Sequence, residues 1–168
     1  MDAAQINSLL IESLCDTSTR YLGVFALDQL PPTLTNFPCC YVANTETISL
    51  PGTHWVAFYL DSRTHLEFFD SYGNSPDLYN FPTPPKLTSI ICNDYPFQKI
   101  QTSVCGQYCI FYLHQRAQHN PLRSIISSLR SFPDTDSYVR SFVSKLRSKF
   151  TNCSNHPFSN NQCARMKQ

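Results

Sequence analysis

The chain of 168 residues has the length of one domain, sufficient to enclose a core of its own. Its hydrophobic fraction of 42% and aromatic fraction of 13% exclude a disordered chain, and no run approaches the roughly 18 apolar residues of a membrane-spanning helix. With a formal net charge of +1 and 15% charged residues, nothing demands a polyanionic partner, and DNA binding is weakly supported.

In chain order, "MDAAQINSLLIESLC" has no basic segment before its apolar patch, so it does not read as a secretory signal, and an intracellular protein is expected. In that setting the eight cysteines remain thiols. Ile6, Leu9, Leu10 and Leu14 recur at helical spacing and predict an amphipathic first helix over residues 2–15. "RYLGVFALDQLPP" reads as a short strand ended by Pro31 and Pro32, and "PCCYVANT" as a second. "THWVAFYL" is apolar nearly throughout, as a central buried strand would be. "HLEFFD" follows the turn-like "DSRT", which predicts an antiparallel hairpin whose strands end near His54 and Asp70.

From Ser71 to Pro96, Pro76, Pro82, Pro84 and Pro85 prevent a long regular element, leaving loop with a short strand at "KLTSIIC". "CGQYCIFYLHQRA" restores helical spacing, Pro121 opens "PLRSIISSLRSF", and a last helix begins near Asp134. The expected domain covers residues 1–150, with 151–168 a polar, flexible tail whose Lys and Arg mark a solvated face. Helix, then strands, then helices is the order of an α+β fold.

The strongest apolar helix begins at Cys105. A thiol at a helix N-terminus meets unpaired N–H groups and the positive end of the dipole, which favour the nucleophilic thiolate. Gly106 leaves room beside it for a substrate backbone, at a cost in helix propensity of about 1 kcal/mol relative to alanine. A cysteine nucleophile needs an imidazole, and the imidazole an orienting group. Of five histidines, His54 starts a central strand, and Asp70 ends the neighbouring one after "EFF", an odd place for an acid without a partner. Gln98 and Gln101 both precede Cys105 closely enough to supply an oxyanion donor, and spacing does not separate them. Each residue also has a bland reading: Cys105 as a buried hydrophobe, His54 as a core histidine, Asp70 as a turn former. The conjunction favours chemistry.

Together, "PGTHWVAFYL", "EFFDSYG" and a Gln shortly before "CGQYC", in the order His, Asp, Gln, Cys, resemble the adenovirus maturation protease (adenain) family. The likeness is closest to the versions in Polinton or Maverick elements and related large DNA viruses. It runs from about Tyr21 to Leu113, taking in "YLGVFALDQLP" and "YVANT". The resemblance implies a papain-like cysteine protease fold with a mostly antiparallel sheet flanked by helices. It also implies His54 as general base, Asp70 as its orienter, Cys105 as nucleophile and Gln98, seven positions before it, as oxyanion donor; Gln101 fits less well. Trp55 matches the Trp that lines a narrow channel in the more distantly related SUMO-specific proteases. Asp28 and Asn44 match without an assignable role.

Asp70 stands where the adenovirus enzymes carry Glu, as in the SUMO proteases. Cys92 lies only approximately where a cofactor peptide would be bridged in those longer enzymes, so activation by peptide or DNA is not carried over. The resemblance implies a peptidase that cuts viral or transposon-encoded capsid precursors after small residues such as Gly, in a host nucleus or virion, with no cofactor. Two alternatives keep the fold: a processing protease for ubiquitin-like modifiers, and an inactive protease-derived scaffold. A zinc site at Cys153, His156 and Cys163 offers three loosely spaced ligands where structural zinc wants four.

Overall fold

The computed structural model describes residues 1–154 apart from Thr33 and Pro85, with side chains described as far as Phe150. The expected tail therefore lies outside the described residues, except that the last helix continues past residue 150. Cys153, His156 and Cys163 lie where no side chain is described.

Helix α1 (Ala3–Leu14) starts at Asp2, whose carboxylate accepts from the Gln5 N–H at 2.8 Å while the Gln5 side chain returns to the Asp2 N–H. Five strands follow: β1 (Arg20–Phe25), β2 (Cys39–Asn44), β3 (Trp55–Leu60), β4 (His65–Phe69) and β5 (Ser89–Cys92). They lie side by side in chain order. The predicted hairpin is β3 and β4, and β2 is antiparallel to β3 as well. Both edges differ, since β1 joins β2 and β5 joins β4 in parallel. The expectation of a mostly antiparallel sheet thus holds for its three central strands, and the whole sheet is mixed. Helices α2 (Cys105–Ala117), α3 (Leu122–Arg130) and α4 (Thr135–Ser154) complete an α+β chain. Among the described residues no helix is long and apolar enough to cross a membrane.

The sheet separates two cores of unlike construction. On one face Cys40, Val42, Ala57, Tyr59 and Phe69 meet the helices, with α2 buried at the centre. On the other, Tyr41, Phe58, Leu66 and Phe68 are covered by loop residues such as Leu30, Leu34 and Phe81. Burial on both faces explains why β2 and β3 are apolar without alternation.

One buried ion pair ties α2 to the sheet. Glu67 in β4 accepts from Arg116 Nε at 2.7 Å and from the Tyr112 hydroxyl at 2.8 Å. The Arg116 guanidinium also lies 4.2 Å from the centroid of the Tyr59 ring. Replacing one partner strands the other's charge in the core, so Glu67→Ala is expected to cost about 3 kcal/mol of stability, read as a lowered urea midpoint. A fall below about 1 kcal/mol would mean water reaches Arg116.

Candidate active site

His54 is the last residue before β3, and the loop that delivers it is held from both sides. Its carbonyl accepts from the Thr45 N–H at 3.0 Å, Asp28 Oδ1 accepts from the Ile48 N–H at 2.9 Å and Asn44 Oδ1 from the Glu46 N–H at 2.9 Å. A side chain on Gly52 would come within 2.5 Å of the Asn44 amide nitrogen. Asp28 and Asn44 therefore shape the loop that presents the imidazole.

Asp70 follows β4 on the antiparallel neighbour, which brings its fully buried carboxylate beside the ring: His54 Nε2 and Asp70 Oδ1 are 2.6 Å apart. The Tyr72 N–H reaches Oδ1 at 2.9 Å, while the Asn74 N–H and the Tyr79 hydroxyl reach Oδ2 at 3.1 and 2.9 Å. Asn93 clamps the Asp70 backbone, accepting its N–H at 2.9 Å and donating to its carbonyl at 2.6 Å. Burial pushes the carboxyl pKa up, but the bonds and charge of His54 and the Tyr72 and Tyr79 donors outweigh it and hold it below its ordinary value.

The turn that folds those donors around Asp70 depends on Gly73, whose φ of +75° lies in the left-handed region and whose missing Cβ would stand 2.8 Å from the Tyr95 backbone. Gly73→Ala is expected to lower stability by about 2 kcal/mol and to lower activity with it, because the clash is with backbone. Thermal unfolding of the variant checks this; an unchanged midpoint would show that the turn yields.

Cys105 opens α2, with no side chain capping the helix, so its first N–H groups are not taken by a cap. Burial raises the thiol pKa, yet the bond to His54, the backbone N–H of Trp55, the imidazole charge and the N–H of Gly106 bring it below the ordinary value. For His54, burial lowers the pKa, but the bonds to Asp70 and Cys105 and their charges push it up to about 9. Since Nε2 is bonded to Asp70, Nδ1 is the ring nitrogen left for the thiol. Both shifts favour the charged forms, thiolate on Cys105 and imidazolium on His54.

Gly106 has a different neighbour from the one expected. A Cβ there would stand 2.9 Å from Ile6 Cδ1 and 3.3 Å from Met1 Cβ, so the space it leaves is filled by the amino-terminal segment and α1 rather than held open for a substrate. Trp55 is half-buried beside it, and its indole N–H donates to the Met1 carbonyl at 3.2 Å.

The structure separates the two glutamines. Gln101 is exposed, whereas Gln98 is buried and held at every polar atom of its side chain. Its Oε1 accepts from the Ser71 hydroxyl at 2.8 Å, and its Nε2 donates to the Thr102 carbonyl at 2.7 Å and to the Tyr72 hydroxyl at 3.0 Å. The loop carrying it is moored to the start of α4. Asp136 accepts from the Thr102 hydroxyl at 2.8 Å and the Tyr108 hydroxyl at 2.9 Å, and Thr135 donates to the Phe97 carbonyl at 2.8 Å.

Sequence reasoning missed Ser71, Tyr72, Tyr79, Asn93 and Asp136. The first two stand in "DSYG" directly after Asp70, a local signal that was available. Asn93 and Asp136 lie far away in sequence and carried none. Cys109, one turn below Cys105, is buried with its thiol pKa raised well above the ordinary value, consistent with a core thiol. Cys92 packs against the loop-covered core and burial raises its pKa also.

No family model matches the chain. Over 106 residues, 52% of the chain, it is 29% identical to the cysteine protease S273R of African swine fever virus (isolate Tick/Malawi/Lil 20-1/1983), covering 37% of that protein. Over 91 residues, 45% of the chain, it is 24% identical to the protease of bovine adenovirus C serotype 10, covering 46% of it. The chain thus spans less than half the length of these curated relatives. Among solved structures, the central domain of the uncharacterized Lpg1148 protein of Legionella pneumophila shares the fold, with a TM-score of 0.50 at 17% identity over 88% of this chain and 97% of that one. The African swine fever virus pS273R protease superposes with a TM-score of 0.49 at 20% identity, over 72% of this chain and 59% of that one.

Proposed function

We propose that this relative of the adenain-like cysteine proteases is itself a cysteine-type endopeptidase, with Cys105 as nucleophile, His54 as general base and acid, and Asp70 as the group that orients and charges the imidazole. The observation that carries the reading is the buried His54–Asp70 contact of 2.6 Å, with Cys105, at the first position of α2, near enough for the imidazole to lower its thiol pKa. The Cys105 thiolate attacks a peptide carbonyl, forming the C–S bond as the carbonyl electrons move to oxygen. The backbone N–H of Cys105 and the group of Gln98 stabilise that oxyanion. Imidazolium then protonates the departing amine, and water deprotonated by His54 cleaves the thioester.

The substrate in this reading is a precursor polypeptide of a virus or a transposable element, cut after small residues such as Gly; the likeness of the His, Asp, Gln and Cys motifs to the adenain family supports it. Trp55, next to His54 in the chain, would be the side chain that narrows the channel for those residues, a role supported by its match to the channel Trp of the SUMO-specific proteases. A peptide-library cleavage profile tests the reading, with Cys105→Ala and His54→Ala as controls. Cleavage after small residues, lost in both variants, is the expected result. Selective release of the C-terminal Gly-Gly of a ubiquitin-like modifier would replace the substrate class. No difference between wild type and Cys105→Ala, in cleavage or thiol alkylation, would leave a non-catalytic scaffold.

A further inference from the structure

An open cleft of about 550 Å³ begins at His54, and no residue of α2 lines it. Its walls come from the loop between β2 and β3, from Leu27 and from the short turn of helix Pro76–Tyr79. Leu27 and Leu78 supply apolar surface, and Leu78 is 62% exposed. Glu46, half-buried, is the one carboxylate on these walls, and Leu27 is fastened beside it, its backbone N–H donating to the Glu46 carbonyl at 3.0 Å.

A relay of hydroxyls orients that carboxylate. An ionised carboxylate only accepts, so the Thr53 hydroxyl proton goes to Glu46 Oε1 at 3.2 Å, and in the 3.2 Å contact between the Thr53 and Thr45 hydroxyls buried Thr45 is the donor. Glu46 Oε2 accepts nothing among the described residues, and none of their Lys, Arg or His side chains pairs with it. A carboxylate partly withdrawn from water gains from a cation beside it, and the protein supplies none here. Between residues 21 and 85 the sequence has one Lys or Arg, Arg63, which stands in the turn at the far end of the β3–β4 hairpin from His54. Asp28 and Asp77, next in sequence to Leu27 and Leu78, add to the negative potential around the cleft.

We propose that this cleft is a substrate subsite for a lysine or arginine side chain, with Glu46 as its specificity-determining residue. The aliphatic stem lies against Leu27 and Leu78, and the charged head meets the Glu46 carboxylate. The inference rests on the cysteine-peptidase reading. Because the cleft begins at His54, whose ring serves the scissile bond, the basic residue stands within a few positions of that bond. The small residue at the scissile carbonyl is a separate requirement. An aliphatic side chain fills the same apolar walls but leaves the carboxylate unmatched, and an acidic one meets like charge, so the order of preference is basic, then aliphatic, then acidic.

The test uses peptides with a fixed small residue at the scissile carbonyl and Lys, norleucine or Glu at each flanking position in turn, cleaved by wild type, Glu46→Gln and Glu46→Lys. At one position wild type should favour Lys over norleucine by about tenfold in kcat/KM, mostly through KM, with Glu the poorest. Glu46→Gln should bring the Lys-to-norleucine ratio to unity, and Glu46→Lys should reverse the order so that Glu leads at that same position. Damage to the loop would lower all the peptides together and would not reverse their order. The inference is overturned if no position prefers Lys to norleucine, if the preference survives in Glu46→Gln, or if Glu46→Lys keeps the wild-type order. Any of these alongside Cys105-dependent cleavage leaves the peptidase reading standing, whereas no Cys105-dependent cleavage of any peptide removes that reading and the subsite with it.

Discussion

Replacing Cys105 by alanine should abolish peptide hydrolysis, by roughly 10⁴-fold or more, while leaving the fold standing. The thiol is only half-buried and its removal deletes one small group at the start of α2, whose other residues pack the central core independently. Unfolding midpoints of variant and wild type should therefore agree within a few degrees, so that lost activity reports chemistry. Because His54 and the first N–H groups of α2 favour the thiolate, wild-type Cys105 should be alkylated at a pH below 9.0, the ordinary thiol value, while buried Cys109 stays unreactive. Mass-spectrometric mapping of iodoacetamide adducts across pH decides it. Alkylation with the pH profile of a free thiol would remove the ion-pair account.

The second large effect belongs to Asp70. Asp70→Asn should lower kcat by roughly 10²- to 10⁴-fold, by analogy with other orienting carboxylates. Two of the influences that push the His54 pKa up to about 9 are its bond to Asp70 and the Asp70 charge. Without them imidazolium deprotonates at lower pH, so the alkaline limb of the pH–rate profile, expected near 9 in wild type, should move toward neutrality. The raised His54 pKa means its pairing stabilises the fold fully below about 6.5 and fades as pH rises through 9. The lowered Asp70 pKa means its contribution is complete above 3.8 and is lost as pH falls through the depressed value. Both operate in full between those limits in wild type, and the variant's stability should be flatter across pH. An unmoved alkaline limb in Asp70→Asn would assign it to another group.

The central architecture was legible because its signals are local. Unbroken apolar runs marked the strands buried on two faces, a four-residue polar turn fixed the hairpin, and the hairpin placed a histidine and an aspartate at one end of adjacent strands. The parallel edges were not legible, since β1 and β5 take partners chosen by long connections that leave no periodicity. Gly106 was misread for a related reason: a missing side chain says that something comes close, and the approaching group, Ile6, lies a hundred residues earlier in the chain. Asp136, two residues past the expected helix start at Asp134, carried no signal of its own. Only the tertiary structure shows it gripping the loop in front of Cys105.

The two unlike coverings of the sheet bear on how such a chain tolerates change in length. Over the loop-covered face, added residues lengthen connections that already run across the surface, and each doubling of a loop costs only about 0.6 kcal/mol in closure entropy. Across the helical face, one residue inserted early in α2 would turn everything before it by about 100° around the helix axis and swing Cys105 away from His54. Growth by insertion is cheap on one side of this protein and fatal to the site on the other.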